Sequence, residues 1–110
     1  MDRIKYPVGA AEVQTPAYAA TINAPIWNNK TMIAPGTLTG GLTLDLVPDA
    51  EIENGAKVSV KFTADGTNRT VALGSHVTGA SIAVNASKIV EAQFEWDGTT
   101  FNSLGTTALN

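Results

Sequence analysis

The chain has no cysteine, so no disulfide framework, thiolate nucleophile or thiolate metal site can be built from it. It has one histidine, His76, which leaves a nucleophilic triad or a histidine-based zinc site without the partners it needs. Charged residues make up only 15% of the chain, and the lysines and arginines stand singly, so there is no basic stripe for nucleic acid. No apolar run approaches the roughly 18–20 residues of a membrane span. Met1 is followed by Asp2-Arg3-Ile4-Lys5 with no apolar stretch of signal-peptide length, and the expectation is a soluble chain made in a cytoplasm. Thr39-Gly40-Gly41 lacks the lysine and the helix that a phosphate cradle requires.

What remains is threonine, alanine, asparagine and glycine arranged in period-two alternation over 110 residues, enough for one domain with a core of its own. Val58, Val60 and Phe62 alternate with Lys57, Ser59 and Lys61 and are followed by Asp65-Gly66 and then Arg69-Thr70-Val71-Ala72-Leu73. Val90, Ala92, Phe94 and Trp96 alternate in the same way before Asp97-Gly98 and Thr99-Thr100-Phe101. An alternating run, an Asp-Gly pair and a second run are the signature of a β-hairpin with both turn residues at positive φ. The expectation is two hairpins. The first sets Val60 opposite Val71 and Phe62 opposite Arg69. The second sets Phe94 opposite Phe101 and Trp96 opposite Thr99.

The longest alternation places Leu38, Leu42, Leu44 and Leu46 on one parity and Thr37, Thr39, Thr43 and Asp45 on the other. A strand sends these sets to opposite faces, so the leucines face a core and the threonines face out, with a bend at Gly40-Gly41. Paired glycines and many threonines count against a helix here. Shorter strands are predicted near 17–23, broken by Ala24-Pro25, at Lys30–Ile33 and at Ser81–Val84. Pro48 to Gly55 reads as a loop with at most one helical turn, Ser75 to Gly79 as a loop, and Gly105 to Asn110 as a polar tail. Residues 1–16, punctuated by Pro7, Gly9 and Pro16, keep no periodicity and read as an N-terminal arm ahead of a β domain spanning 17–110. The predicted fold is all-β, a single antiparallel β-sandwich or barrel-like module with an extended N-terminal arm.

No residue set marks a catalytic, cofactor or metal site. His76 reads as a loop histidine with no nearby acid. Asp45, Asp49, Glu51 and Glu53 form an acidic cluster without the spacing of a calcium loop and read as solvated carboxylates. Asn29-Lys30-Thr31, Asn68-Arg69-Thr70 and Asn85-Ala86-Ser87 match the glycan acceptor pattern and, without a signal peptide, read as chance products of composition. The apolar side chains available for contacts with another chain are Ile4, Tyr6, Val8 and Val13 in the arm, together with Tyr18 and Trp27. A surface so poor in charge fits a protein packed against neighbours, because charge is what keeps small domains apart.

The run Thr37-Leu38-Thr39-Gly40-Gly41-Leu42-Thr43-Leu44, then Gly55-Ala56-Lys57-Val58, Arg69-Thr70-Val71 with Gly74, and Phe94-Glu95-Trp96-Asp97-Gly98-Thr99 resembles a pattern of small β-sandwich virion proteins of tailed bacteriophages, over residues 17–104. Head fibres, capsid decoration proteins and tail-fibre modules belong to that group. The resemblance implies no enzyme activity and no cofactor. It implies a homo-oligomer, with a trimer favoured, that contacts capsid or other virion proteins and resides in the virion; the scattered charges and short apolar runs lead to the expectation of neither nucleic acid nor membrane as a partner. A different class of function is a carbohydrate- or receptor-binding module, with Tyr18 and Trp27 or the two Asp-Gly turns contacting a surface glycan.

Overall fold

The computed structural model describes residues 12–110. Ten strands make two sheets, and no helix occurs among the described residues. In chain order they are β1 (Glu12–Gln14), β2 (Thr21–Ile26), β3 (Lys30–Ile33), β4 (Leu42–Pro48), β5 (Lys57–Thr63), β6 (Arg69–Leu73), β7 (Val77–Thr78), β8 (Ile82–Val84), β9 (Ile89–Trp96) and β10 (Phe101–Ala108). Sheet A has the order β1-β3-β5-β9-β10-β7 and sheet B the order β2-β4-β6-β8.

The path through these sheets is that of a β-solenoid. The chain lays one strand in sheet A, turns a corner, lays one in sheet B and returns. Three such coils, β1–β2, β3–β4 and β5–β6, stack in parallel: Glu12 lies beside Thr31, Thr31 beside Val58, Ile22 beside Leu44, and Leu44 beside Leu73. After β6 the direction reverses. β8 runs antiparallel to β6, β9 antiparallel to β5, and β10 returns along β9. The antiparallel sandwich or barrel expected from the sequence is therefore corrected. The strands are all-β as expected, but six of them belong to parallel coils and only the last part is antiparallel.

Alternation explains why the coils close. Ile22, Ala24 and Ile26 on β2, Leu42, Leu44 and Leu46 on β4, Val58, Val60 and Phe62 on β5, and Val90, Ala92, Phe94 and Trp96 on β9 all point into the space between the sheets and are buried. Neither sheet can hide its apolar face alone, so facing rows from the two sheets form one core. Fully burying the valine, leucine, isoleucine and phenylalanine side chains among them contributes about 1.5–3 kcal/mol each. One polar group enters this core without compensation: the Thr31 hydroxyl is buried and has no hydrogen-bond partner among the described residues.

Several local expectations change. The strand predicted near 17–23 is Thr21–Ile26 and runs through Pro25. Pro25 is tolerated because β2 is an edge strand and a missing N–H costs nothing on the open side. The pair Asp65-Gly66 closes no hairpin, since β5 lies in sheet A and β6 in sheet B. Gly66 is not among the glycines at positive φ, whereas Gly98 has φ 99°. The second hairpin is real, but its connection has four residues: Trp96 sits beside Phe101 and Phe94 beside Ser103. The Asp97 N–H donates to the Thr100 carbonyl at 3.1 Å, and the Trp96 and Phe101 rings meet with centroids 4.9 Å apart. The polar tail continues β10 to Ala108 after a bulge between Ser103 and Gly105, where Gly105 has φ 119°.

Gly40-Gly41 carries the chain between sheets. Leu38 bridges to Ala64 beside sheet A, and β4 begins in sheet B at Leu42. Glu12–Gln14, within the span read as an arm, form the first strand of sheet A, paired in parallel with β3.

Candidate interaction surface

The register of sheet A settles which side chains share its outer face. Residues opposite the buried set on each strand are Val13, Lys30, Met32, Lys57, Ser59, Lys61, Glu91, Gln93, Glu95 and Asn102. They fall into rows crossing the strands. The central row is Val13, Met32, Ser59, Gln93 and Gly105, with Leu104 displaced beside it by the bulge. It carries no charge. On one side lies Lys30, Lys57, Glu95 and Asn102, with a Lys57–Glu95 ion pair of 2.7 Å; on the other, Lys61 stands opposite Glu91.

Val13 is 66% exposed, Met32 46% and Leu104 52%, so three large apolar side chains stand out from this one uncharged row. Shallow depressions flank it. One of about 340 Å³ is lined by Lys30, Lys57, Ser59, Gln93 and Leu104 among others. A smaller one of about 130 Å³ is lined by Val13, Met32, Ser59, Lys61 and Glu91 among others. An uncharged row with exposed apolar side chains, rimmed by charges, is a common anatomy of a protein contact surface.

Of the interaction residues read from the sequence, Ile4, Tyr6 and Val8 lie outside the described residues. Val13 is on the surface just described. Tyr18 is half-buried, packs against the core and donates its hydroxyl to the Gly41 carbonyl at 2.7 Å, bracing the corner before β4. Trp27 is half-buried and directly follows β2. Because β2 separates them by about 20 Å at 3.3 Å per residue, Tyr18 and Trp27 do not form one stacking platform. Met32 and Leu104 were missed. Met32 was legible as the outward member of a short strand; Leu104 shares the outward parity of Asn102 but lies in a stretch whose glycine and polar residues mask the alternation, and the bulge displaces it from opposite Gln93.

His76 is also corrected. It is not a histidine without an acid: its Nδ1 lies 2.6 Å from Asp45 Oδ2, and its backbone N–H donates to Asp45 Oδ1 at 3.0 Å. Asp45 lies on the outward parity of β4, as read, but the loop after β6 covers it and it is buried. Gly74 permits this, because a Cβ there would fall 2.5 Å from the Asp45 Cβ. The His76 carbonyl in turn accepts the Phe101 N–H at 2.9 Å, so this loop links β4 of sheet B to the start of β10 in sheet A. Asp45 thus leaves the acidic cluster. Within that cluster Asp49 turns back to accept the Glu51 N–H at 3.0 Å. No group of three or more potential metal ligands occurs among the described residues.

The two corner aspartates hold their carboxylates in different ways. The Arg69 guanidinium donates to both oxygens of Asp65, at 3.0 and 2.8 Å, and holds its carboxyl below the usual range. Asp97 is lowered chiefly by the Thr100 N–H and then by the Asn102 amide, at 2.8 and 2.7 Å. Both pairs fix backbone at exposed corners.

No helix among the described residues is long and apolar enough to cross a membrane. No known family model matches the chain, and a search of curated proteins finds no match.

Proposed function

We propose that this chain is a structural component of a bacteriophage virion, a capsid decoration or head-fibre protein that works by surface contact and without chemistry. The observation that carries the reading is the uncharged row on the outer face of sheet A, with the apolar side chains of Val13, Met32 and Leu104 exposed along it. It joins the resemblance of residues 37–44 and 94–99 to small virion proteins, and a fold whose side chains are spent on corners and core. Stacked coils with a continuous core suit a mechanical role, since each coil is braced by its neighbours. Subunit contacts would be made through this face, and virion partners would be met through the N-terminal arm that leads into β1 at the margin of sheet A.

The test is localisation. An antibody against the purified chain should decorate the heads of virions prepared from the source culture, seen by immunogold electron microscopy. The chain lacking residues 1–11 should keep its far-UV circular dichroism and lose binding to those particles. Virions free of label, with the chain recovered only from host cytosol, would sink the proposal. Saturable quenching of tryptophan fluorescence by soluble glycans would favour the carbohydrate-binding alternative instead.

A further inference from the structure

We infer that the outer face of sheet A is a two-fold interface between two copies of this chain, its axis parallel to the strands and passing between β5 and β9. The occupant is fixed by the arrangement of charge. Sheet A has six strands, and its midline falls between β5 and β9, with β3 and β10 next outward on either side. A two-fold axis along that midline lays each strand over its mirror position: β5 over β9 of the second copy and β3 over β10 of the second copy.

The register then decides which side chains meet. Lys57 and Glu95 are at one level, and so are Lys61 and Glu91. Lys57 of one copy therefore faces Glu95 of the other, and Lys61 faces Glu91. Each contact occurs twice by symmetry, so every lysine on β5 meets a carboxylate. At the central level Ser59 faces Gln93, and Met32 faces the bulge that displaces Leu104. The two most exposed apolar side chains of β3 and β10 thus cover each other at two symmetric points. An axis turned to lie along the rows would instead set Lys57 over Lys61 and Glu95 over Glu91. Like charges juxtaposed in this way repel across an interface, and the charge pattern selects the first axis.

The size is that of a weak, transient interface. Under this axis the seven residues of β5 cover β9 and the four of β3 cover part of β10, which at about 4.8 Å by 3.3 Å per residue gives a footprint of about 350 Å² per copy, or about 700 Å² in total. A dimer in the micromolar range or weaker is expected. Such a face is self-complementary and closes on itself, so it makes dimers rather than rings or filaments.

The experiment uses the full chain in sedimentation equilibrium at concentrations up to about 1 mM, where binding as weak as about 4 kcal/mol is visible. The expected result is a monomer–dimer equilibrium. K57E/K61E makes the face acidic and E91K/E95K makes it basic; each alone should be monomeric, and an equimolar mixture should dimerise. M32D/L104D should abolish the dimer, while T70D, on the exposed side of β6 in sheet B, should leave it unchanged. Far-UV circular dichroism establishes that each variant is folded, and the charge-exchange mixture tests the interface even if M32D/L104D is not. A wild-type chain that stays monomeric, forms a trimer, or dimerises undisturbed by M32D/L104D would overturn the inference, as would a mixture that remains monomeric beside a dimeric wild type. The inference stands apart from the virion reading: unlabelled virions with an intact dimer defeat only the latter, and labelled virions with a monomeric chain defeat only the former.

Discussion

At Asp97-Gly98 the chain reverses within one sheet, and at Asp65-Gly66 it leaves one sheet for the other. The dipeptide is the same and so is the alternation before it. At the first corner the chain has to fold back on β9, and Gly98 takes φ 99° to do so. At the second, the chain climbs from sheet A to sheet B, Gly66 stays out of the left-handed region, and Asp65 grips Arg69, while each aspartate accepts the N–H two residues on, Thr67 and Thr99 respectively. What separates them is the next strand. β10 finds an unpaired edge on β9, whereas β6 finds its partner in β4. An Asp-Gly pair permits a tight reversal, and the pairing available to the following strand decides whether it is used.

The strongest test of this division is whether the parallel coils and the antiparallel cap fold as one unit. Phe94, on the cap, is fully buried beside Val58 of the third coil. Phe94→Ala should lose about 3–5 kcal/mol in urea denaturation. The tryptophan signal, from Trp96 in the cap and Trp27 in the coils, and far-UV circular dichroism of the whole chain should shift together. Two separated transitions would show that cap and coils are independent.

The corners themselves are compared by the same substitution at each. Gly98→Val forces a β-branched residue into a left-handed conformation and should lose about 1–2 kcal/mol. Gly66→Val has ordinary φ and nothing within 4 Å of its new Cβ, so its unfolding free energy in urea should change by less than about 0.5 kcal/mol. Equal losses at both glycines would erase the distinction.

Thr31, on the parallel side, should respond in the opposite sense. Val matches its shape and removes the buried hydroxyl, so Thr31→Val should gain about 1 kcal/mol in thermal or chemical denaturation. A loss would mean that the hydroxyl has a partner.

The smallest expected effect is in acid. Asp65 and Asp97 both have folded-state pKa values below their unfolded ones. The stability they supply is fully present above the unfolded value of about 4 and is lost as pH falls through the folded values. Asp65→Asn and Asp97→Asn should therefore each flatten the decline in thermal midpoint below about pH 4, leaving the remaining slope to the other carboxylates. An unchanged slope in both would show that neither corner depends on its charge.

Much of the strand content was legible because alternation is a local signal. Val58, Val60 and Phe62, the leucines of β4, and Val90 to Trp96 were read as inward rows and are buried. The bend at Gly40-Gly41 was equally local. The stacking was not legible. The coils have unequal lengths, so Thr31 follows Glu12 at a different interval from that by which Val58 follows Thr31, and no fixed period betrays a repeat. The Asp45–His76 pair was hidden for a related reason, since a loop on one strand's outer side had to be laid over a residue of another.

Local pattern in the chain dictated strands, the side chains that most of them bury and the bend at Gly40-Gly41, because period two and the glycine and proline positions act within a few residues. Tertiary structure alone decided which strands became neighbours, that the coils run parallel, and that Met32, Leu104 and the lysine and glutamate rows share one face. Strand pairing satisfies the same backbone groups whichever partner is chosen. Only burial of both apolar faces at once selects among the choices, and that is a property of the whole assembled core.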